Sequence, residues 1–269
     1  MTTASHPLFE RFAPRIAALP ARERYTRDEL LVPDFLLREE GRLAIYYAPF
    51  DWVNAGARVA LVGITPGFRQ MEIAHREARR LLLAGGLTTR EVLELVKYAA
   101  AFGGSIRHNL VAMLDGIGLP AALGIETSRE LWAERHDLLH VTAAVRHPVF
   151  VGGADWTGHT PPVRSNALLR DYVRGVMLEE LHSAAGALIV TLGRCAEEAV
   201  RLLSDEGALD PARCLAGLPH PSGANGHRKA QFARARDDLS RQVAAWFGVG
   251  GRVEGGVAAQ VLVDARPPA

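Results

Sequence analysis

The segment Arg58-Val59-Ala60-Leu61-Val62-Gly63-Ile64-Thr65-Pro66-Gly67 decides how this chain folds. A short apolar run without polar alternation reads as a strand buried on both faces, and the Thr-Pro-Gly turn at its end hands the chain to a helix. That helix is expected over 71–84. Further on, Thr88-Thr89-Arg90-Glu91 has the spacing of a capping box, and Val92, Val96 and Ala99 recur behind it at helical spacing. Ser105 opens a third helix with Ile106, Leu110, Met113, Leu114 and Ile117 on its apolar face and Gly116 and Gly118 at its end. Residues 138–145 read as a second core strand, 164–184 as a helix, 187–192 as a third strand, 194–204 as a helix and 213–218 as a fourth strand. Phe232, Leu239, Val243 and Trp246 mark a last helix that stops at Gly248. A loop of roughly fifteen residues with Gly152, Gly153, Gly158, Pro161 and Pro162 follows the second strand, long enough to be either functional or mobile.

Strand and helix alternating four times predict an α/β protein, a three-layer α/β/α sandwich with a central four-stranded parallel sheet. In such a sheet ligands bind beyond the carboxyl ends of the strands. Residues 1–45 read as a helical N-terminal extension, 46–248 as the main domain and 249–269 as a flexible C-terminal tail. The aromatic stretch Tyr46-Tyr47-Ala48-Pro49-Phe50-Asp51-Trp52 either seals the sheet edge or offers a base-stacking platform.

Composition narrows the function classes. With 269 residues, 48% of them hydrophobic, the chain has the apolar mass for a large core and is not intrinsically disordered. No apolar run is long enough to span a membrane and the N-terminus lacks the order of a signal peptide, so a soluble cytoplasmic monomer without membrane contact is expected. Two cysteines, Cys195 and Cys214, supply neither a disulfide framework nor a zinc or iron–sulfur ligand set, and both read as small buried hydrophobes. The histidines show no metal-binding helical pair, so no metal or other cofactor is expected. A net charge of +1 from 31 basic and 30 acidic residues points to no polyanion partner by itself, so a nucleic-acid role has to come from a local site. Lys97 and Lys229 are the lysines of the chain, which leaves few groups for Schiff-base chemistry; Lys229 reads as solvated or as a phosphate contact.

Two turns fall at carboxyl ends of predicted strands: Gly63-Ile64-Thr65-Pro66-Gly67 and His220-Pro221-Ser222-Gly223. In this order they resemble the uracil-DNA glycosylase superfamily, whose members carry Gly-x-Asn/Asp/Ala-Pro-Gly after the first core strand and His-Pro-Ser after the last. Val141-Thr142-Ala143-Ala144-Val145-Arg146 is similar to the family's second strand and Ala187–Arg194 to its third, so the resemblance spans 58–247. It implies an enzyme that extrudes a base from DNA and cuts its bond to deoxyribose, the base leaving as an anion. It further implies that His220 donates a hydrogen bond to the base oxygen that becomes negative, with Gly63, Ile64 and Gly67 forming the base-binding turn. Ser222 and the amides of Gly223 and Ala224 would grip a DNA phosphate, and Asn225-Gly226-His227-Arg228 would enter the minor groove. Phe68 either stacks on the flipped base or covers the turn.

Three residues depart from the family pattern. Thr65 stands where many relatives hold the attacking water with Asn or Asp, and a threonine hydroxyl positions water but takes no proton at neutral pH. Ile64 stands where the branches related to thermostable enzymes carry Glu, and Ala143 where uracil-reading relatives carry an asparagine that bonds the base. Asp155, Trp156 and His159 of the 152–162 loop, or Arg146 and His147, are candidates to replace that amide. The resemblance therefore implies a monofunctional glycosylase acting on DNA with a deaminated or damaged base, uracil or a related one, and nucleoid-associated while bound. The alternative is a catalytically silent DNA- or nucleotide-binding module; a third reading is a hydrolase of nucleoside-like small molecules.

Overall fold

Apolar periodicity and local capping build the chain in a regular order in the computed structural model, which describes residues 6–103 and 105–248. Helix α1 (Pro7–Ala18) buries Phe9, Phe12 and Ile16 on one face. After α2 (Arg27–Leu30), the hairpin β1 (Leu36–Glu40) and β2 (Leu43–Tyr46) precedes β3 (Val59–Gly63), which is buried at every residue. Helix α3 (Phe68–Ala84) leads to α4 (Thr89–Ala100), where Thr88 and Glu91 close the expected capping box. Helices α5 (Ser105–Gly116) and α6 (Leu119–Leu123) lead to β4 (Leu139–Ala143), and β5 (Val149–Val151) and β6 (Ala154–Asp155) form a second hairpin. Helix α7 (Ala167–Tyr172), a π-helical turn over Val173–Met177 and α8 (Leu178–Ser183) run end to end where one helix is predicted. Strand β7 (Leu188–Thr191), α9 (Arg194–Asp205), β8 (Cys214–Leu215) and α10 (Arg228–Phe247) complete the described chain.

The four strands β4-β3-β7-β8 pair in that order and all in parallel. Side chains alternate across this sheet, so Ala60, Val62 and Ile189 join one apolar cluster with Met177, Leu181, Ala196 and Leu203. Val59, Leu61, Leu139 and Val190 face the other way, onto Leu110, Leu114, Leu239 and Val243 of α5 and α10. The protein is thus mixed α/β, with helices on both faces of a four-stranded parallel sheet. Among the described residues no helix is long and apolar enough to cross a membrane.

The N-terminal segment differs from the helical extension predicted for 1–45. Its β1 and β2 form an antiparallel sheet in the order β1-β2-β5-β6, whose last two strands come from the segment predicted as an irregular loop. These strands escape sequence reading because they are two to five residues long and β1 exposes most of its residues instead of alternating. Residues of α1 also enter a third cluster with Tyr47, Trp52, Phe150 and the buried faces of α3 and α4. The aromatic stretch 46–52 seals this cluster, with Tyr47 stacked on Phe12 at 4.2 Å between ring centroids. The predicted tail at 249–269 lies outside the described residues.

Because Phe12 is 2% exposed in a cluster shared with the body of the protein, Phe12→Ala is expected to lower global stability by about 3–5 kcal/mol. Urea denaturation followed by circular dichroism checks this; an unchanged midpoint would mean that α1 is a detachable extension after all.

Candidate active site

The turns after β3 and β8 share one cavity of about 680 Å3. Gly63, Ile64, Thr65 and Gly67 line it from the first turn, and His220, Ser222 and Asn225 from the second. Phe50, Phe102, Ile106, Val141 and Trp156 give it apolar walls. Two glycines let these pieces approach. Gly193 has φ +84°, and a Cβ there would meet Cβ of His220 at 2.9 Å; Gly158 has φ +87°, and a Cβ there would meet Cβ of Cys195 at 2.7 Å.

His220 is set up as a neutral donor. Burial lowers its pKa below the ordinary histidine value, and its Nδ1 accepts the amide N–H of Ser222 at 3.2 Å. The single proton of the neutral ring therefore sits on Nε2. The turn is braced from outside: Asn109 Nδ2 donates to the Pro221 carbonyl at 2.9 Å, and Arg228 donates to the Ser222 carbonyl at 2.8 Å and to Asn109 Oδ1 at 3.1 Å. Asn225 Nδ2 donates to Gln231 Oε1 at 3.0 Å and, more weakly, to the His220 carbonyl at 3.4 Å.

Several predicted site residues have other tasks. Arg228, expected to contact DNA, is half-buried and turned inward, because its planar fork matches two oxygens held close together by the turn and α5. Gly223 is exposed outside the cavity wall, while Ser222 Oγ accepts the Ala224 amide at 3.2 Å. Phe68, read either as stacking on a base or as covering the turn, lies under the Arg27 guanidinium, 4.6 Å from ring centroid to Cζ, and packs on the third cluster. Arg27 also pairs with Asp155 at 2.8 Å, and Asp155 accepts the Phe68 amide at the start of α3 at 3.3 Å. The Thr65 hydroxyl donates to the His147 carbonyl at 2.9 Å, leaving only lone pairs for a ligand. Ala143 lines the cavity with its methyl group. Of the proposed replacements, Asp155, Trp156, His159 and Arg146 line the cavity, whereas His147 is buried beside Asp51 at 3.9 Å. The Cys195 thiol, pushed up to about 12 by burial, stays protonated.

Sequence reading named Arg146 but missed Phe102 and the rest of the polar floor. Phe102 has φ +48°, a rare conformation for a bulky residue, and its ring would sit 3.4 Å from a Cβ at Gly63. Nothing in an Ala-Phe-Gly-Gly sequence announces this. The floor is a buried cluster: Lys97 Nζ donates to Glu180 Oε1 at 3.3 Å and to the Trp52 carbonyl at 2.5 Å, and Arg146 reaches Glu180 at 3.4 Å and Asp51 at 3.2 Å. Burial raises the Glu180 carboxyl, but Lys97 and Arg146 outweigh it and hold the pKa down to about 2.

Burial also holds His75 at about 4 and His140 at about 3, against 6.5 for a free histidine. Below about pH 6.5 the unfolded chain takes up protons that the folded chain refuses, so each histidine lowers stability by roughly 1 kcal/mol per pH unit as pH falls toward its folded pKa. Urea midpoints at pH 7, 6 and 5 should therefore fall steadily, and less steeply in His75→Gln; a flat profile would contradict the burial. Gly193→Ala is expected to lower stability by about 1–3 kcal/mol and to displace His220, visible as a changed imidazole NMR signal; an unmoved signal would show that the close approach is not needed.

No family model and no solved structure matches the chain. Over 234 residues it is 40% identical to the uncharacterized protein YoxB of Bacillus subtilis (strain 168), an alignment covering 86% of this chain and 90% of the relative. The relationship spans most of both chains at that identity, and the protein described here belongs to the YoxB family.

Proposed function

We propose that this protein is a DNA glycosylase of the uracil-DNA glycosylase type, hydrolysing the N-glycosidic bond of a deaminated or damaged base flipped into the cavity. The observation that carries this reading is the convergence of the two superfamily-like turns on one cavity, where a neutral His220 bears its proton on Nε2. As the bond from sugar C1′ to the base nitrogen breaks, the electron pair moves onto the base, and His220 donates a hydrogen bond to the base oxygen that gathers the charge. The braced turn keeps that donor in place before the charge develops. Water adds to C1′ and loses a proton, and the base departs as an anion that is protonated later. The Thr65 oxygen accepts a hydrogen bond from this water, and Asp155, whose carboxylate lies beside Gly67, takes up its proton in place of the Asn or Asp of related enzymes.

A second reading, a binding module without turnover, is favoured by one observation: the Thr65 hydroxyl proton is committed to the His147 carbonyl. Alkaline cleavage of labelled oligonucleotides carrying uracil, hypoxanthine or xanthine, single- and double-stranded, separates the two. Glycosylase activity is expected, with His220→Ala losing on the order of 100- to 1000-fold while keeping the wild-type circular dichroism. Full activity in that variant would sink the mechanism. Binding of base-modified DNA without cleavage by the wild type would select the second reading.

A further inference from the structure

The cavity floor has a one-sided hydrogen-bonding character. Lys97 of α4, Thr142 of β4 and Arg146 after β4 line it, whereas the two carboxylates that partner them, Glu180 and Asp51, lie behind and do not. Those carboxylates are already used: Glu180 Oε1 accepts from Lys97 and Arg146, and Oε2 from the Thr142 hydroxyl. Asp51 Oδ1 accepts from Arg146 at 3.2 Å, and Oδ2 from the Tyr47 hydroxyl at 2.7 Å. The cations are not used up. An ammonium carries three donors and a guanidinium five, and the chain engages two of each. Lys97 and Arg146, which line the cavity, therefore keep N–H groups that the described residues do not engage, Arg146 Nε among them, and Thr142, which donates its hydroxyl hydrogen bond to Glu180, keeps lone pairs.

We infer that Lys97 and Arg146 determine base specificity, selecting a base by the number of exocyclic oxygens on its buried edge and rejecting one that presents an amino group there. The inference rests on the proposed function for the ligand being a nucleobase. An exocyclic oxygen accepts from either cation, so each gained oxygen adds a charge-assisted hydrogen bond. An exocyclic amine finds only the Thr142 oxygen as an acceptor on this floor, and opposite Lys97 or Arg146 it sets donor against donor and leaves both without a partner in a largely apolar cavity. This is the discrimination a deaminated base requires, because deamination replaces an amine with an oxygen. It also assigns the recognition that Ala143 cannot provide to side chains from two other places in the chain. Among purines the expected order is xanthine, with two oxygens, then hypoxanthine, with one, then adenine, with none.

Isothermal titration of the full-length protein with free xanthine, hypoxanthine and adenine tests the floor directly, and the same three bases placed in DNA test release in parallel. Successive steps on the order of tenfold in affinity are expected in the free-base series. Removing Lys97 alone would leave the buried cluster with two negative charges against one positive, so the variant used is Lys97→Met/Glu180→Gln, which deletes one charge of each sign. It is expected to keep its urea transition and to lose at least tenfold for xanthine with little change for adenine. Adenine bound as tightly as xanthine, no base bound up to its solubility limit, or an unchanged order in the folded double variant would overturn the inference. Should the double variant fail to fold, the wild-type series still decides. The free-base order without release from DNA upholds the floor and refutes the glycosylase; release from DNA without that order refutes the floor alone.

Discussion

The arrangement of this molecule depends on four charges buried together, on Asp51, Lys97, Arg146 and Glu180, whose side chains are between 2% and 13% exposed. They sit where α4, α8 and the end of β4 meet the 46–52 segment, at the seam between the first and third apolar clusters. Burying an ion pair costs about as much in lost hydration as it returns, and apolar side chains of similar volume often do as well. Stability alone therefore gives no reason for this cluster. What it does supply is a geometric constraint: removing one member leaves a net charge buried among the rest, which ties the elements that carry the four residues to one relative position. The floor of the cavity inherits that rigidity from the core.

The parts of the fold legible in the sequence are those whose signal is local. The β3 run and its turn, the capping box before α4 and the apolar stripe of α5 each lie within a few residues, and the parallel sheet follows from their order. The second sheet has no such signal. Leu36-Leu37-Arg38-Glu39-Glu40 is a strand through its pairing with β2, not through any alternation of its own. The site divides the same way. The two turns are contiguous motifs and could be read, but Asp51, Lys97, Thr142, Arg146 and Glu180 share no spacing and meet only through tertiary packing. Lys97 falls on the face of α4 that also carries Leu93, Val96 and Ala100, and only the fold reveals that a lysine there is buried.

Residue type showed which donors the turns contain but not which way they point. Arg228 and Phe68 were natural candidates for ligand contact, and both hold the frame instead: Arg228 ties the His220 turn to α5, and Phe68 takes the Arg27 guanidinium that in turn holds Asp155. The reason is common to both. A turn that presents backbone groups to a ligand leaves carbonyls and amides without helix or sheet partners, and nearby side chains must satisfy them. The positions just outside such a motif are therefore under structural demand first, and this is how a residue of the N-terminal segment, Arg27, comes to bear on the cavity.

These constraints locate the chemical question. The cavity presents donors from His220 and from the floor, within apolar walls of Phe50, Phe102, Ile106, Val141 and Trp156, and charge–dipole contacts gain strength in such surroundings. In the proposed reaction a leaving base that gathers negative charge would meet groups already in place, so its departure is the step of that proposal for which the site is best organised. Delivery of water would be the less organised step, since the Thr65 hydroxyl donates its hydrogen bond to the His147 carbonyl and, among the described residues lining the cavity, the carboxylates are Asp155 and Glu197. Asp155 stays fixed by Arg27 and the Phe68 amide, contacts that orient its carboxylate. The proposed reaction needs both groups, His220 to meet the charge of the base and Asp155 to take the proton of the water, and the Arg27–Asp155 pair that orients the second is 42% exposed on both sides, so that solvent reaches the contact.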